Sequence, residues 1–456
     1  MRNFTLALLL SVGLLTIASA FASPAPSVTT NEIILNFPES ATFRATFTSD
    51  REITSIVLEY GNEQQTCGKV FAKAFPQFTP GTTVEAEWTW EMRQSGSLPP
   101  GAQFWWRWRV TDASGQESVT DVKTAVWLDG IHDWQTINTG DIVRLHWYEG
   151  DQTFAADLAS AASDGLRFNE TQSGLKAEAP INIYVYASTD DLKDAILYEP
   201  SWTGGQAFPE HNIVILGISR SDLDWGRDAI VHELTHVLVG HLTFSCLGDV
   251  PTWLNEGLAV YSEGELDPAS KMQLEDAIRD NTLLTVRSLS SGFSEVADKA
   301  YLSYSQSYSL AKFLVETHGQ EKMTGLLLSL RDGLTIDEAL MQVYGFNIEG
   351  LENEWRTSIG ARPSSVSAQP TLQPTSTFVP TFVPMGGVAS VIQVTSTPVP
   401  TSSFGGQPTP TPGRAGPPLS LTLILLGMCC IFLLLVGVVV LGFVVRFQNR
   451  KGGDGV

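Results

Sequence analysis

At 456 residues the chain has room for two or three domains. Aromatic residues make up 10% of it, with 12 Trp among them, enough for at least one substantial core. A formal net charge of -21 argues against a nucleic-acid partner, because phosphate binding needs clustered Lys and Arg; the acidity reads as a solvated surface.

The first residues, MRNFTLALLLSVGLLTIASAFAS, place Arg2 before an apolar run from Phe4 to Ile17. Small-residue cleavage sites follow at Ala18-Ser19-Ala20 and Ala20-Phe21-Ala22. Residues 1–22 therefore read as a secretory signal peptide.

Residues 28–130 read as strands. In VEAEWTW, Val84, Ala86, Trp88 and Trp90 alternate with polar residues; in FWWRWRVT, so do Phe104, Trp106, Trp108 and Val110 with their neighbours. A period of two marks a strand with one buried face. ATFRATF and ITSIVLEY add two candidates, and turn signals such as Pro99-Pro100-Gly101 separate the runs. Short strands at this spacing predict a small β-sandwich. LPPGAQFWWRWRVTDASG loosely resembles late strands of fibronectin type III or immunoglobulin-like domains. Its alternating aromatics suit core packing better than a carbohydrate-binding face.

Cysteines constrain little. Cys67 and Cys246 fall in different predicted domains, and their spacing does not support a bridge. Cys429 and Cys430 lie in an apolar segment, and none of the four has a partner at zinc-finger spacing.

Residues 141–360 mix strands and helices, then turn helical beyond Asp224. IVRLHWYEG, INIYVYAS and HNIVILGIS read as strands; FAADLASAASDGL reads as a helix, and STDDLKDAI carries an N-cap signature. This order predicts an α+β domain.

Within it stands VHELTHVLVGHL. Residues four apart on a helix are only about 40° apart around the axis. His232 and His236 thus project from one face and can hold one metal ion, while Glu233 can reach a water on that metal. Asp224 is a candidate cap for this helix. Glu256 follows in PTWLNEGLAVYSEG, on a second helix whose first turn suits Pro251. Gly257 and Ala259 are small enough for close packing against the first helix. Two histidines and a carboxylate leave zinc one position for water. The ordinary alternative is a core helix with chance histidines, and Glu256 weighs against it.

H-E-L-T-H followed at this distance by W-L-N-E-G-L-A resembles the gluzincin metallopeptidases, and more closely the peptidase MA-like domains of bacterial surface proteins. The resemblance implies a thermolysin-like domain holding one Zn2+ on His232, His236 and Glu256, with Glu233 as general base. By the same resemblance Glu263, seven residues after Glu256, supports a ligand histidine. Tyr304, in YLSYSQSYSLAKFL, stabilises the tetrahedral intermediate, with Tyr301 and Tyr308 as rivals. Two departures matter: no G-x-M-E-N motif precedes the zinc helix, and Val260 stands where thermolysin-type enzymes have an aspartate. GGQAFPEHNIVIL occupies the former place and can form an edge strand for an extended peptide. The expected activity is hydrolysis of a peptide or protein substrate, endopeptidase rather than aminopeptidase. The competing reading is a non-catalytic surface adhesion or sensing protein on a gluzincin scaffold.

Residues 361–418 are rich in Pro, Thr, Ser and Gly, as in TSTPVPTSSFGGQPTPTPG, and predict a disordered stalk. Residues 419–445 are uncharged and long enough for a bilayer's roughly 30 Å core. Arg446, Arg450 and Lys451 follow, placing the 446–456 tail in the cytoplasm. The expected fold class is thus multidomain: an N-terminal all-β sandwich, an α+β thermolysin-like zinc peptidase domain, a disordered stalk and a single transmembrane helix. The expected localisation is the cell membrane, single-pass, with the N-terminal part outside.

Overall fold

The computed structural model describes residues 25–95, 98–128, 130–197, 204–294 and 297–363. Its first sheet is built around one long strand. β2 (Ser40–Asn62) runs for 23 residues. Its first half pairs with β1 (Ser27–Asn36) and β4 (Gly81–Glu91), and its second half with β3 (Ala72–Ala74) and β5 (Ala102–Asp112). A one-turn helix, α1 (Met92–Ser95), follows β4. β6 (Glu117–Val119) and β7 (Lys123–Trp127) pair with β5. Along β5 the inward positions Ala102, Phe104, Trp106, Trp108 and Val110 are buried, in step with the alternation of the sequence.

The second sheet runs β11-β12-β10-β9-β8. Its strands are β8 (Gln135–Thr139), β9 (Val143–Trp147), β10 (Ile181–Tyr186), β11 (Gly205–Phe208) and β12 (Ile213–Gly217). β9, β10 and β12 are mutually parallel, while β8 and β11 are antiparallel edges. INIYVY and IVILG are apolar almost throughout because both of their faces are covered. Ile181, Ile183, Val185, Val214 and Leu216 face a core shared with the helices. Tyr184, Tyr186, Ile213 and Ile215 face a core shared with the first sheet. α2 (Gln152–Gln172) and α3 (Thr189–Ala195) sit between these strands in sequence; Asp151 caps α2 by accepting from the Phe154 N–H at 3.0 Å.

Helices complete the chain: α4 (Leu223–Thr243), α5 (Thr252–Glu263), α6 (Pro268–Asp280), α7 (Ala297–His318), α8 (Gln320–Arg331), α9 (Ile336–Tyr344) and α10 (Ile348–Ser358). α4 is buried nearly all round, which is why its sequence is so apolar. Asp224 lies in its first turn but does not cap it: the N-cap is Asp222, which makes no side-chain capping bond.

The expected fold class needs correction. The seven N-terminal strands form one hydrogen-bonded sheet rather than a two-sheet sandwich, because β2 carries pairing from one half to the other. Nor does that sheet close a core of its own, since it shares one with the second sheet. Alternation identifies a buried face but not what covers it. The described chain is a sheet-rich N-terminal region joined to a second, smaller sheet and a helical region, all within one compact unit.

The expected single-pass placement at the cell membrane is corrected as well. Among the described residues no helix is long and apolar enough to cross a membrane. The longest, α2, α4 and α7, carry ionisable side chains along their length, for example Asp224, Arg227, Asp228 and Glu233 on α4. The segments on which the signal peptide, stalk, span and tail rested, 1–22 and 361–456, lie outside the described residues except for 361–363.

Cys67 and Cys246 form a disulfide, with Cα atoms 5.8 Å apart. A separation of 179 residues gave no sequence signal for it. Both cysteines are exposed. Beside the bridge, the Gln65 N–H donates to the Glu210 carbonyl at 2.9 Å. The loop after β2 is thereby fastened to the residues flanking α4.

Candidate metal centre and active cleft

α4 and α5 lie side by side, and their facing turns bring His232, His236 and Glu256 together. The Nε2 atoms of His232 and His236 are 3.2 Å apart. Glu256 Oε2 lies 3.5 Å from each of them. A tetrahedral ion with bonds of 2.0–2.1 Å sets its ligand atoms about 3.3–3.4 Å apart, so the group has the dimensions of three corners of such a site.

The hydrogen bonds around the triad agree. His232 Nδ1 meets Glu263 Oε1 at 2.5 Å, and His236 Nδ1 meets Asn255 Oδ1 at 3.0 Å. With both Nδ1 protons committed, both Nε2 lone pairs aim at the same point. Two lone pairs and a carboxylate oxygen repel one another unless a cation sits among them. Glu256 Oε2 is buried and has no hydrogen-bond partner, an orphaned acceptor of the kind a metal satisfies. The residues therefore fit a divalent ion of zinc type.

The electrostatics carry the same tension. Burial works against the charged form of His232, yet the negative charge of the neighbouring carboxylates, Glu256 at 3.5 Å and Glu263 at 2.5 Å, outweighs it and holds the imidazole up at about 10. Burial also disfavours the Glu256 carboxylate, but the two imidazoles drive its pKa well below the usual range. A cation at this point replaces protons as the partner of the carboxylate.

Glu233 follows His232 on α4, and its side chain lines the same cleft. Burial raises its pKa, and Glu256 and Glu263 add to this against the two imidazoles. The edge strand β11 passes close by: a Cβ on Gly205 would stand 3.1 Å from Glu233 Oε1 and 2.6 Å from Leu216. Gly204 lies against the Trp225 ring, where a Cβ would come within 2.8 Å. These two glycines let the strand run close past the carboxylate.

α7 forms the facing wall. Tyr304 lies 6.5 Å from His232, ring centre to ring centre, and packs edge-on against Phe293 at 5.1 Å. Burial pushes its phenol well above the usual range, and the carboxylates Glu256, Glu233 and Glu263 add to the shift. Tyr304 is therefore a protonated donor at neutral pH. Tyr301 is 60% exposed at the rim of the cleft. Tyr308 is committed elsewhere, donating to Glu265 at 3.3 Å and accepting from Lys312 at 3.1 Å.

The cleft encloses about 1210 Å³ and is lined by all six site residues read from the sequence: His232, Glu233, His236, Glu256, Glu263 and Tyr304. Several contributors escaped sequence reasoning. Asn255 is visible in hindsight, since it adjoins Glu256 in WLNEG. Gln65, in the loop after β2 that the disulfide fastens, also lines the cleft. Thr235 and Ser262 meet between α4 and α5, with Asn169 reaching them from α2. Gly257 packs against α7 rather than α4: a Cβ there would stand 2.3 Å from the Ser307 carbonyl oxygen.

A profile of the Peptidase MA superfamily matches residues 161–361, the part that carries the cleft's metal-ligand group. No curated protein matches the chain. Among solved structures, similarity extends to catalytically inactive OgpA from Akkermansia muciniphila in complex with an O-glycopeptide substrate. The identity there is 10%, over 24% of this chain and 30% of that one, with a TM-score of 0.18. Aminopeptidase A from Legionella pneumophila, in complex with aspartic acid, matches at 12% identity over 74% of this chain and 50% of that one, TM-score 0.35. An aminopeptidase N family protein from Idiomarina loihiensis matches at 12% identity over 74% of this chain and 76% of that one, TM-score 0.35. The chain spans less than a third of the first structure and half of the second. The superfamily match supports a peptidase-type function of gluzincin-like kind.

Proposed function

We propose that the chain is a zinc-dependent metallopeptidase that hydrolyses peptide bonds within an extended substrate. The observation that supports this most is the convergence of His232 Nε2, His236 Nε2 and Glu256 Oε2, 3.2 to 3.5 Å apart, beside the half-buried Glu233 carboxyl on α4. Zinc held by these three residues supplies the Lewis acidity that makes water nucleophilic near neutral pH.

The chain's own residues supply the rest. Glu233 accepts a proton from the attacking water and returns it to the departing amide nitrogen. Burial of its carboxyl favours taking up a proton. Tyr304, kept protonated, donates a hydrogen bond to the oxygen that gains charge as the carbonyl carbon becomes tetrahedral. Glu263 and Asn255 hold the two imidazoles in one tautomer and orientation. The outer edge of β11, which pairs with no strand among the described residues, with Gly205 against Glu233, offers main-chain groups to a peptide lying along the cleft. A strand-like docking mode favours endopeptidase over aminopeptidase action.

The test is metal analysis of the purified chain together with digestion of a peptide library, with and without a chelator. The expected result is one zinc per chain and internal cleavages that chelation abolishes and zinc restores. Cleavage that persists unchanged in the metal-free chain would overturn the metallopeptidase reading, and release of single N-terminal residues would overturn the endopeptidase part.

A further inference from the structure

Behind the ligand-bearing turns, three helices meet across a polar chain closed off from water. Asn169 of α2 donates from Nδ2 to the Gly165 carbonyl at 3.1 Å and to Thr235 Oγ1 at 2.9 Å. Thr235 Oγ1 on α4 lies 2.7 Å from Ser262 Oγ on α5. Ser262 Oγ lies 2.6 Å from the Ala259 carbonyl. Asn169 and Thr235 are 0% exposed and Ser262 is 7% exposed. One proton arrangement gives both hydroxyls a donor and an acceptor role: Thr235 accepts from Asn169 and donates to Ser262, which donates to the Ala259 carbonyl, while Asn169 Oδ1 has no hydrogen-bond partner. Val231 O, 2.8 Å from Thr235 Oγ1, is the alternative acceptor one turn back.

The chain runs through the apolar core that includes Leu234, Leu238 and Leu258. Methyl groups would fill this space equally well, so hydroxyls here add direction rather than packing. A slide of α5 along α4 by one residue, about 1.5 Å, would break the Thr235–Ser262 bond and leave each hydroxyl only a carbonyl of its own helix, Val231 O or Ala259 O. Position along the two helices matters for what lies on their other side. Thr235 adjoins His236. Ser262 adjoins Glu263, which holds His232, and stands six residues beyond Glu256. Metal–ligand distances tolerate only about 0.2 Å of error.

We infer that the Asn169–Thr235–Ser262 chain pins the register of α5 against α4, and thereby sets how tightly the His232–His236–Glu256 group holds its metal. This rests on the metallopeptidase reading only in supposing a metal at that group; it does not depend on peptide hydrolysis. The three are positioning residues, acting through the ligands beside them.

The full chain is prepared unsubstituted and as Thr235→Val, Thr235→Ser, Ser262→Ala and the Thr235→Val/Ser262→Ala double. Zinc affinity is measured by chelator competition at a temperature where circular dichroism shows every sample folded, and the metal-free Tm is recorded beside it. Thr235→Val should weaken zinc binding about tenfold. Thr235→Ser, which keeps the hydroxyl, should restore it to within about twofold. The double substitution should lose no more than the worse single, because both cut one chain. Should Thr235→Val not fold, Ser262→Ala removes a single oxygen and carries the same expectation. Unchanged affinity in these variants overturns the inference, as does a loss that Thr235→Ser fails to rescue or that simply follows the metal-free Tm. A chain that shows the expected affinities yet cleaves no peptide sinks the peptidase reading and leaves the pin in place, whereas an unsubstituted chain that binds no zinc sinks both.

Discussion

Glu233 and Tyr304 approach the reaction centre from opposite walls, and their substitutions should separate. Glu233→Gln keeps the size of the side chain and removes the proton acceptor. The expected outcome is an unchanged zinc stoichiometry with kcat/KM lower by about 10²–10⁴-fold. Activity close to that of the unsubstituted enzyme would take the base role from Glu233. Tyr304→Phe removes only a phenol hydroxyl. It should lower kcat by about 10²–10³-fold with KM little changed, because the bond it deletes strengthens only as charge develops; equal loss in kcat and gain in KM would point to ordinary substrate contact. The positions of His232, Glu233, His236 and Glu256 were legible in the sequence because helical spacing alone puts the first three on one flank and the motif places the fourth. Glu263 was indicated by the family resemblance, and it lies 2.5 Å from His232 Nδ1. Asn169 was not, since nothing local links it to Thr235, 66 residues away; only the packing of α2 on α4 brings them together.

Among the elements, α5 depends on a close approach that the sequence assigned to the wrong neighbour. Small residues at Gly257 and Ala259 announce tight packing, but not which helix provides the other surface. Because the Ser307 carbonyl would lie 2.3 Å from an added Cβ, Gly257→Ala must push α5 from α7. A loss of about 1–3 kcal/mol is expected from thermal or denaturant unfolding, and full retention of stability would show that α7 yields freely. In the first sheet, strand existence was written in the alternation, whereas the single-sheet pairing was not, since β2's length and its two sets of partners are tertiary properties. That sheet also contains a buried carboxylate. Glu59 is 1% exposed and sits among Arg107 at 2.7 Å, Arg109 at 3.4 Å and Lys73 at 3.4 Å. Burial alone would raise its pKa, yet the Arg107 guanidinium, helped by Arg109 and Lys73, holds it below the ordinary 4.5. A carboxyl depressed in the folded state stabilises fully above its ordinary value, and that contribution disappears as pH falls through the folded value. The Tm gap between the unsubstituted chain and Glu59→Gln should therefore narrow as pH falls from neutral through the ordinary 4.5 and below it; a gap independent of pH would mean that Glu59 acts through packing alone.

For the whole molecule, the bridge between Cys67 and Cys246 is the covalent counterpart of the core shared by the two sheets. Closing a loop of 179 residues removes much freedom from the unfolded chain. Replacing both cysteines by serine should cost about 2–5 kcal/mol, read from unfolding under non-reducing conditions, and stability indifferent to the replacement would assign the fastening to the non-covalent contacts. The same bridge couples the N-terminal sheet to the cleft, because Gln65 on one side and Phe244, Ser245, Gly248, Asp249 and Val250 on the other help to line it. A recombinant fragment trimmed to the superfamily match would lack that wall. Expression in a reducing cytosol would yield chains with an unclosed rim even at full length, so assays on either preparation would measure a different enzyme from the one whose cleft is stapled.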